Sequence, residues 1–402
     1  MSRIDDMLAE HCPDGVEFLL LKDVARIRNG KDYKGFGEGI IPVYGTGGIM
    51  TRIDRAAYEK PSVLIPRKGS LNKLYFVDEP FWTVDTIFYT EINEKLIAPK
   101  FFYYYLATQH LEELNQAGGV PSLTQTVLNE IRIPIPPLVV QRKIVEVLDT
   151  FTKLEAELEA ELEARRRQYQ YYLNTLLSFS DASVASASKQ ASKQASKQAS
   201  KQASIRWVTL SEIGKFIRGR RFTKADYVED GVGCIHYGEI YTHYGTSANE
   251  VISHVRPEMK ATLRFAKPGD VVITDVGETV EDVGKAVAWI GSEEVAIHDH
   301  CYAFRHSMNP KFVSYCMQTT SFIAEKAKYV ARTKVNTLLI DGFSKIRIPV
   351  PTYEEQERIV SILEKFDSLV NDLGSGLPAE IKARRQQYVY YRDRLLSFRE
   401  AA

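Results

Sequence analysis

Residues Ile131–Phe179 read IRIPIPPLVVQRKIVEVLDTFTKLEAELEAELEARRRQYQYYLNTLLSF, and residues Ile346–Phe398 repeat them in altered form as IRIPVPTYEEQERIVSILEKFDSLVNDLGSGLPAEIKARRQQYVYYRDRLLSF. From Ile131 to Leu154 the two copies align 215 positions apart, and from Ala164 to Phe179 they align 219 positions apart. The chain therefore contains a duplicated segment. The four additional residues predict one further helical turn in the second copy.

Each copy opens with prolines, and a long amphipathic helix is predicted behind them. Proline fixes φ and disfavours helical backbone in the residue before it, so the first helix begins after Pro137. The apolar positions that follow advance by threes and fours, as in a coiled-coil seam with a stutter: Val147, Phe151, Leu154, Leu158, Leu162, Tyr169, Tyr172, Leu176 and Phe179. The second copy repeats the spacing at Ile381, Tyr388, Tyr391, Leu395 and Phe398. Antiparallel pairing of the two seams would give an approximate two-fold axis, and a coiled-coil spacer or dimerisation arm is the alternative.

A second repeat heads two globular domains. Val16–Gly30, VEFLLLKDVARIRNG, aligns with Ile205–Gly219, IRWVTLSEIGKFIRG, at a constant separation of 189. Three further matches keep the same order: Tyr44–Gly45 with Tyr237–Gly238, Val63–Ile65 with Val271–Ile273, and Asp85 with Asp299. Short alternating apolar runs between Gly and Pro residues predict β-strands. We expect two similar α/β (α+β) domains with different surfaces.

These repeats predict the organisation of the whole chain. The predicted segments are an N-terminal helix at 1–15, a first domain at 16–137, a central helix at 138–180, a linker at 181–204, a second domain at 205–351 and a C-terminal helix at 352–402. The linker contains four tandem KQAS units at Lys189–Ser204, a composition that cannot form a core.

Composition excludes several classes of protein. The 402 residues carry 52 basic and 52 acidic side chains, so no histone-like excess of positive charge exists. The four cysteines form no CxxC pair, which argues against a disulfide framework or a zinc knuckle. The N-terminus lacks the apolar core of a signal peptide and no run is long enough to span a membrane, so a cytoplasmic location is expected.

No motif in the sequence predicts catalysis. The GTGG run at Gly45–Gly48 lacks the spacing of a phosphate-binding loop. The run His298–Cys301 is the closest approach to a metal site, but the first domain reads Val84–Asp85–Thr86–Ile87 at the equivalent place. A position that keeps Asp in both copies and histidines in one indicates fold architecture combined with local specificity. We therefore predict no metal site and no catalytic residue.

The paired arrangement resembles the DNA specificity subunit of type I restriction-modification systems. Two divergent domains open with the W/F-x-x-x-L-x-x-I/V-G/A signature and close with IxIPxP…Q-x-x-I, and each precedes a helix ending in YxYYxxxLLSF. The resemblance implies two target-recognition domains, two adenine methyltransferase subunits docked around the helices, and restriction subunits that join them. It implies no cofactor in this chain, with S-adenosylmethionine, ATP and magnesium used by partner subunits.

Two unlike domains would read two different half-sites, so the predicted target is bipartite and asymmetric, with an unread spacer. Arginine paired with guanine is the commonest base contact. The candidate DNA contacts are Lys31, Lys34, Arg52, Arg67, Lys68 and Lys73 in the first domain, and Arg218, Arg220, Arg221, Lys224, Tyr237, Arg332 and Lys334 in the second. For each of these residues, the alternative to a base contact is a phosphate contact or a solvated surface charge.

The helices carry the candidate contacts with methyltransferase subunits, since Arg and Tyr are enriched at interface hot spots. These candidates are Arg165, Arg166, Tyr171, Arg384, Arg385 and Tyr390. Tyr169, Tyr172, Tyr388 and Tyr391 lie on the seam and are predicted to form the core between helices. Two alternatives to the whole interpretation are a non-catalytic coiled-coil scaffold and a specificity chain of a type II-like system that cuts beside its site.

Overall fold

The structure is a computed structural model that describes residues 2–115, 119–179, 205–332, 334–372 and 374–401. The predicted linker, including the KQAS units, lies outside the described residues. The chain divides into two compact units: the first contains Met1–Glu159 and Ile381–Ala402, and the second contains Ala160–Glu380. Each unit thus combines a globular domain with parts of both copies of the repeated helical segment. The predicted domain boundaries stay a prediction.

The first unit contains three sheets and short helices. Its strands are β1 (Phe18–Leu20), β2 (Ala25–Asn29), β3 (Glu38–Gly45), β4 (Gly48–Ile53), β5 (Ser62–Pro66), β6 (Tyr75–Val77), β7 (Trp82–Thr83), β8 (Ile87–Ile92) and β9 (Arg132–Pro134). Its short helices are α1 (Ser2–His11), α2 (Leu21–Val24), α3 (Pro99–Leu106) and α4 (Gln125–Asn129). The sheet orders are β2-β8-β5-β6, β4-β3-β7 and β1-β9. Helix α5 (Leu138–Leu176), 39 residues long, begins in this unit and continues into the second.

The second unit contains four sheets. Its strands are β10 (Arg206–Thr209), β11 (Gly214–Arg218), β12 (Tyr227–Val228), β13 (Val232–Ile235), β14 (Ser247–Ala248), β15 (Ser253–Val255), β16 (Phe265–Ala266), β17 (Val271–Thr274), β18 (Val276–Gly277), β19 (Ala286–Trp289), β20 (Val295–Ile297), β21 (Cys301–His306), β22 (Val330–Ala331), β23 (Asn336–Leu338) and β24 (Arg347–Val350). Its sheets are ordered β11-β21-β17-β19-β14, β12-β15-β13-β20-β16, β18-β23-β22 and β10-β24.

Most helices of the second unit are short. They are α6 (Leu210–Ile213), α7 (Tyr237–Thr242), α8 (Pro310–Cys316), α9 (Thr320–Lys326), α10 (Ile340–Phe343) and α11 (Tyr353–Asn371). Helix α12 (Leu377–Leu395) begins here and lies mainly in the first unit. No helix among the described residues is both long and apolar enough to cross a membrane.

The two domains share one fold, down to the register of their strands. In each, the strand after the first short helix and the fully buried strand pair with a common central strand. The pairs are Asn29 with Phe88 and Ile65 with Phe88 in the first unit, and Arg218 with Tyr302 and Ile273 with Tyr302 in the second. The opening and closing strands also pair alike, Phe18 with Pro134 and Trp207 with Pro349. The predicted fold class is confirmed, and the match of Val63–Ile65 with Val271–Ile273 is correct.

One sequence match is wrong. Tyr44 lies in strand β3 and its carbonyl accepts the N–H of Val84, whereas the carbonyl that accepts the N–H of His298 belongs to Ile235. Tyr237 instead begins helix α7. The dipeptide Tyr-Gly occurs in both domains by chance, and matching its two copies shifted the alignment by two residues.

In each domain, the side chain of a buried glutamine at the start of the following helix hydrogen-bonds to the backbone of the domain. The Gln141 side chain accepts the N–H of Ala98 (2.7 Å) and donates to the carbonyls of Leu96 (3.0 Å) and Pro136 (2.7 Å). These contacts join the first turn of α5 to the backbone immediately before α3. Gln356 repeats the arrangement in the second unit, accepting the N–H of Asn309 (2.9 Å) and donating to the carbonyl of Pro351 (2.9 Å). This is the Q of the repeated sequence signature.

The predicted tyrosines form helix–helix contacts within each unit. In the first unit Phe151 stacks on Tyr391, with ring centroids 5.4 Å apart, and Tyr388 lies beside them. In the second unit Tyr172 stacks on Phe366 at 5.0 Å, and Tyr169 is buried. The prediction that these tyrosines pack between helices is confirmed for Tyr172, Tyr388 and Tyr391.

Two expectations about the helices are wrong. The C-terminal copy contains two helices, since α11 ends at Asn371 and α12 begins at Leu377, so the four additional residues do not form a continuous further turn. Glycine lowers helix stability, and the copy contains Gly374 and Gly376 at this break. Leu154, predicted on the seam, is 43% exposed.

Candidate nucleic-acid interface

In each domain, the candidate surface begins beside a glycine at the equivalent position of the fold. Gly30 and Gly219 lie so close to the carbonyl oxygens of Val84 and His298 that a Cβ atom at either glycine would stand 2.0 Å away. The residue after each glycine, Lys31 or Arg220, donates its backbone N–H to the neighbouring strand. A residue with a side chain could not occupy either position without moving the backbone. The basic residues after the glycine therefore leave the sheet at the same place in both domains.

In the first unit a cleft of about 860 Å³ lies at this place. Its lining includes Tyr33, Lys34, Thr46, Met50, Asp85 and Thr86. The loop after β5 lies beside it, since the N–H of Arg67 donates to the carbonyl of Thr86 at 2.9 Å. The Arg67 guanidinium also donates to the carbonyl of Asp85 at 3.4 Å. The cleft thus combines cationic, acidic, hydroxyl and apolar side chains. Cationic and hydroxyl groups are among those that contact DNA bases and phosphates.

The six candidates of the first domain are not equally placed. Lys31 and Lys34 lie on the loop after β2, and Lys68 and Lys73 lie on the loop after β5; all four are exposed. Arg67 is half-buried between these loops. Arg52 stands apart on β4, where its guanidinium donates to the carbonyl of Ile40 at 2.7 Å. Five candidates therefore lie on loops around or beside the cleft, and their role as DNA contacts stays a prediction.

In the second unit a buried carboxylate organises the corresponding region. The side chain of Asp275 is 4% exposed and bonds Arg218 Nη2 at 3.2 Å and His300 Nδ1 at 3.0 Å. Arg218 Nε also donates to the carbonyl of Asp299 at 3.0 Å. The guanidinium is 52% exposed and is held in a defined orientation by these partners. Arg218 therefore neutralises Asp275 and still presents part of its charge to solvent.

Histidine and aromatic rings pack beside this carboxylate. The His236 ring lies 4.4 Å from the His298 ring and 4.3 Å from the Tyr237 ring, and Tyr237 contacts His300 at 5.4 Å between centroids. Burial lowers the pKa of His236 and of His298, so their neutral forms predominate near neutral pH. Across the described ranges, no group of three or more His, Cys, Asp or Glu side chains has the arrangement of a metal site. Neutral rings of this kind can donate or accept hydrogen bonds according to tautomer.

A recess of about 830 Å³ opens next to these rings. Its lining includes Tyr237, Tyr241, Lys285, His300, Lys334 and Thr337. The Lys285 ammonium lies 5.9 Å from the Tyr241 ring centre, and burial lowers the pKa of Lys285. Burial raises the pKa of Tyr241 to about 12, and its hydroxyl bonds Thr274 Oγ1 at 2.6 Å. Glu278 and Asp282 also line the recess, which therefore combines an aromatic face, hydroxyls and side chains of both charges within one concave surface.

The structure brings together some of the second domain's candidates. Tyr237 and Lys334 line the recess, and Arg218 reaches its edge through Asp275 and His300. Arg220 and Arg221 are exposed on the segment that follows Gly219. Two further candidates, Lys224 and Arg332, are exposed outside the recess lining.

Several residues that line the two concavities were not among the predicted DNA contacts, including Thr86, Tyr241, Lys285 and His300. The alignment of Asp85 with Asp299 marks the positions of Thr86 and His300 and could have identified them. Tyr241 and Lys285 carry no comparable signal, because their proximity arises only from the folding of distant segments.

Family-level similarity agrees with this geometry. The family model described as type I restriction modification DNA specificity domain matches twice, over residues 13–164 and 205–383. The chain belongs to the type I restriction-modification DNA specificity family. The recognition made from the duplicated motifs is confirmed.

Relatives of this specificity family cover most of the chain. A putative type I restriction enzyme specificity subunit of Haemophilus influenzae is 28% identical over 383 residues, covering 90% of this chain and 89% of that protein. The EcoR124I/EcoR124II specificity subunit of Escherichia coli is 28% identical, covering 77% of this chain and 73% of that protein. The crystal structure of an S subunit from M. genitalium shares the fold, with a TM-score of 0.53, 17% identity and 95% coverage of both chains.

In this specificity protein, the candidate partner contacts on the helices differ in availability. Tyr171 and Tyr390 are 64% and 60% exposed at equivalent positions of the two copies. Arg166 is also exposed, whereas Arg165 and Arg384 each bond a glutamine three residues later, Gln168 and Gln387.

Arg385 contacts another helix of its own unit. Its guanidinium donates to Glu155 at 2.5 Å and also to Glu159. These bonds attach α12 to α5 within the first unit. The proposed partner role of Arg385 stays a prediction, and its structural contact is an alternative use of the same side chain.

Proposed function

We propose that this chain is the DNA-reading subunit of a type I restriction-modification complex and that it catalyses no reaction itself. Each globular domain reads one half of a bipartite, asymmetric site in double-stranded DNA. Two adenine methyltransferase subunits and the restriction subunits act at the site so selected. S-adenosylmethionine, ATP and magnesium are used by those partners, and the complex acts in the cytoplasm.

One observation carries this proposal: two domains whose core strands pair in equivalent register have concave surfaces with basic side chains at the same place, but line them with different residues. The first cleft has Lys34, Thr46 and Thr86, and the second has Tyr237, His300 and Lys334. A common framework supplies common positioning on the DNA backbone, whereas different side chains distinguish bases. An asymmetric target follows directly from this combination.

The salt dependence of DNA binding tests the interface. Each phosphate contact lowers the slope of log affinity against log salt by about 0.9. Replacing both exposed arginines, Arg220→Ala and Arg221→Ala, should therefore flatten the slope by up to about 1.8. Between 50 and 200 mM salt, their contribution to affinity would fall about tenfold.

The assay uses the complete methyltransferase complex and a duplex containing its mapped target. Lys215→Ala is the control because Lys215 is exposed on β11, the strand that precedes the segment of Arg220 and Arg221. An unchanged affinity and slope in the double variant would show that this segment does not contact DNA. Absence of sequence-specific binding by the unmodified complex would overturn the proposed function itself.

A further inference from the structure

The register shared by the two domains places three polar residues of each at equivalent positions. These positions are the last residue of the first paired strand, the residue after the buried strand, and the residue before the central strand. They hold Asn29, Arg67 and Thr86 in the first unit and Arg218, Asp275 and His300 in the second.

The backbone at these positions is the same. The N–H of Arg67 donates to the carbonyl of Thr86 at 2.9 Å, and the N–H of Asp275 donates to the carbonyl of His300 at 3.0 Å. The peptide framework therefore presents the third residue, Thr86 or His300, from the same point. Any difference in recognition at this point must come from the side chains.

The side chains make different contacts. In the second unit, Asp275 bonds both Arg218 and His300, whereas in the first unit Arg67 donates to the carbonyl of Asp85 and its guanidinium lies 5.8 Å from the Phe88 ring centre. The equivalent position thus holds a guanidinium in the first unit and a carboxylate in the second, and the side-chain contacts around it differ accordingly. Buried polar networks of this kind fix orientation when their members are satisfied.

This network orients the His300 ring. A carboxylate only accepts hydrogen bonds, so the bond to Asp275 at 3.0 Å places the proton on Nδ1. In the neutral ring Nε2 is then an acceptor, and the ring lines the recess beside Tyr237. Thr86 lines the equivalent cleft with a hydroxyl, which can donate as well as accept.

We propose that the position held by Thr86 in the first domain and His300 in the second is a specificity-determining position, where the side chain contacts a base edge of the half-site read by that domain. Nε2 of His300 accepts from an exocyclic amino group, of adenine or cytosine. Asp275 is a positioning residue that fixes this tautomer. The inference rests on the proposed function, because it assigns a role within the DNA surface.

The test measures base preference with the complete methyltransferase complex. Duplexes carry the mapped target with each position of both half-sites randomised, and bound sequences are counted for the unmodified complex, Thr86→Ala and His300→Ala. Each variant should lose about tenfold discrimination at one or two positions of one half-site, and the two variants should affect opposite halves. This magnitude is that of one lost base contact.

The variant Asp275→Asn tests whether Asp275 sets the tautomer of His300 or only supports folding. The amide can donate to Nδ1 and so move the proton to Nε2, which would alter the preferred base at the position affected by His300→Ala. His254→Ala is the control, since His254 lies on β15 outside the recess lining. Its base preferences should match those of the unmodified complex.

The outcomes distinguish failure of the proposed function from failure of the specificity-determining position. If the unmodified complex shows no sequence preference, the proposed function fails. If it is specific but His300→Ala and Thr86→Ala retain every preference, only the specificity-determining position fails. Equal effects of either variant on both half-sites would also overturn it, because each side chain would then be acting through the stability of the protein.

Discussion

Removal of the Gln141 side chain should weaken the attachment of the first domain to helix α5. Gln141 is fully buried and joins the backbone of Leu96 and Ala98 to that of Pro136. In Gln141→Ala these three bonds disappear, leaving one N–H and two carbonyls without this partner. Packing alone would still hold α3 near α5, so the expected effect is local.

The magnitude follows from the number of bonds. Leaving a buried polar group unsatisfied costs about 1–3 kcal/mol. Leu96 and Ala98 are only half-buried, so we take the lower end of this range for each of the three groups and expect a total of about 3 kcal/mol. Gln356 makes two such bonds, so Gln356→Ala should cost about 2 kcal/mol in the second unit. Gln125→Ala is the control: its amide bonds the exposed Asn29 at 3.1 Å and should contribute within about 0.5 kcal/mol.

Hydrogen–deuterium exchange measured by mass spectrometry reads this effect locally. Opening that is easier by about 3 kcal/mol accelerates exchange by roughly 100-fold at the start of α3 and the first turn of α5. Peptides of the second unit should exchange at their normal rate. Unchanged protection in Gln141→Ala, or equal loss in both units, would refute the assignment of Gln141 as a local fastening residue.

Three further predictions concern spacing, pH and backbone packing. Deleting Leu158–Glu161 removes about 6 Å of helix and should shorten the unread spacer by one or two base pairs; a mapped target with the original spacer would contradict this. Burial lowers the pKa of Lys326 from 10.5 to about 8. Between these two pH values the unfolded chain therefore binds one more proton than the folded chain. The loss of stability caused by burying the charged Lys326 side chain thus becomes smaller as the pH rises through this range. Denaturant unfolding of the unmodified protein and Lys326→Met should show this as a pH-dependent difference, and a constant difference would exclude it. Gly219→Ala should weaken recognition of one half-site because its Cβ would lie 2.0 Å from a carbonyl oxygen, whereas Gly245→Ala, with open space around it, should bind normally.

Much of the fold could be predicted because both repeats mark backbone that must pair. The segments separated by 189 and 215 positions include the opening and closing strands of each domain, which bond to one another in the structure. A duplicated sequence therefore predicted a duplicated register. The misplaced Tyr237 arose where insertions shift the alignment and a short dipeptide match carries little information.

The break between α11 and α12 escaped prediction for a different reason. The seam spacing continues on both sides of residues 372–376, so periodicity alone favours one helix. The local sequence DLGSGLP contains Gly374, Gly376 and Pro378, which together favour a turn. Local backbone preference here overrides the longer pattern.

Prediction of the site was limited by contacts between distant segments. Basic residues after Gly30 and Gly219 were visible in the sequence, but the bond between Asp275 and His300 joins residues that flank different strands and lie 25 positions apart. Nothing near either residue indicates that a carboxylate fixes the histidine tautomer. The pairing of Arg385 with Glu155 and Glu159 was hidden in the same way.

The most direct measurement is the genome-wide map of modified adenines in cells that express this chain with its methyltransferase subunit. Two unlike reading domains predict one asymmetric motif in two specified parts, separated by a fixed number of unspecified bases. A palindromic motif, a single uninterrupted motif, or modification without sequence preference would contradict the conclusion that each domain reads its own half-site.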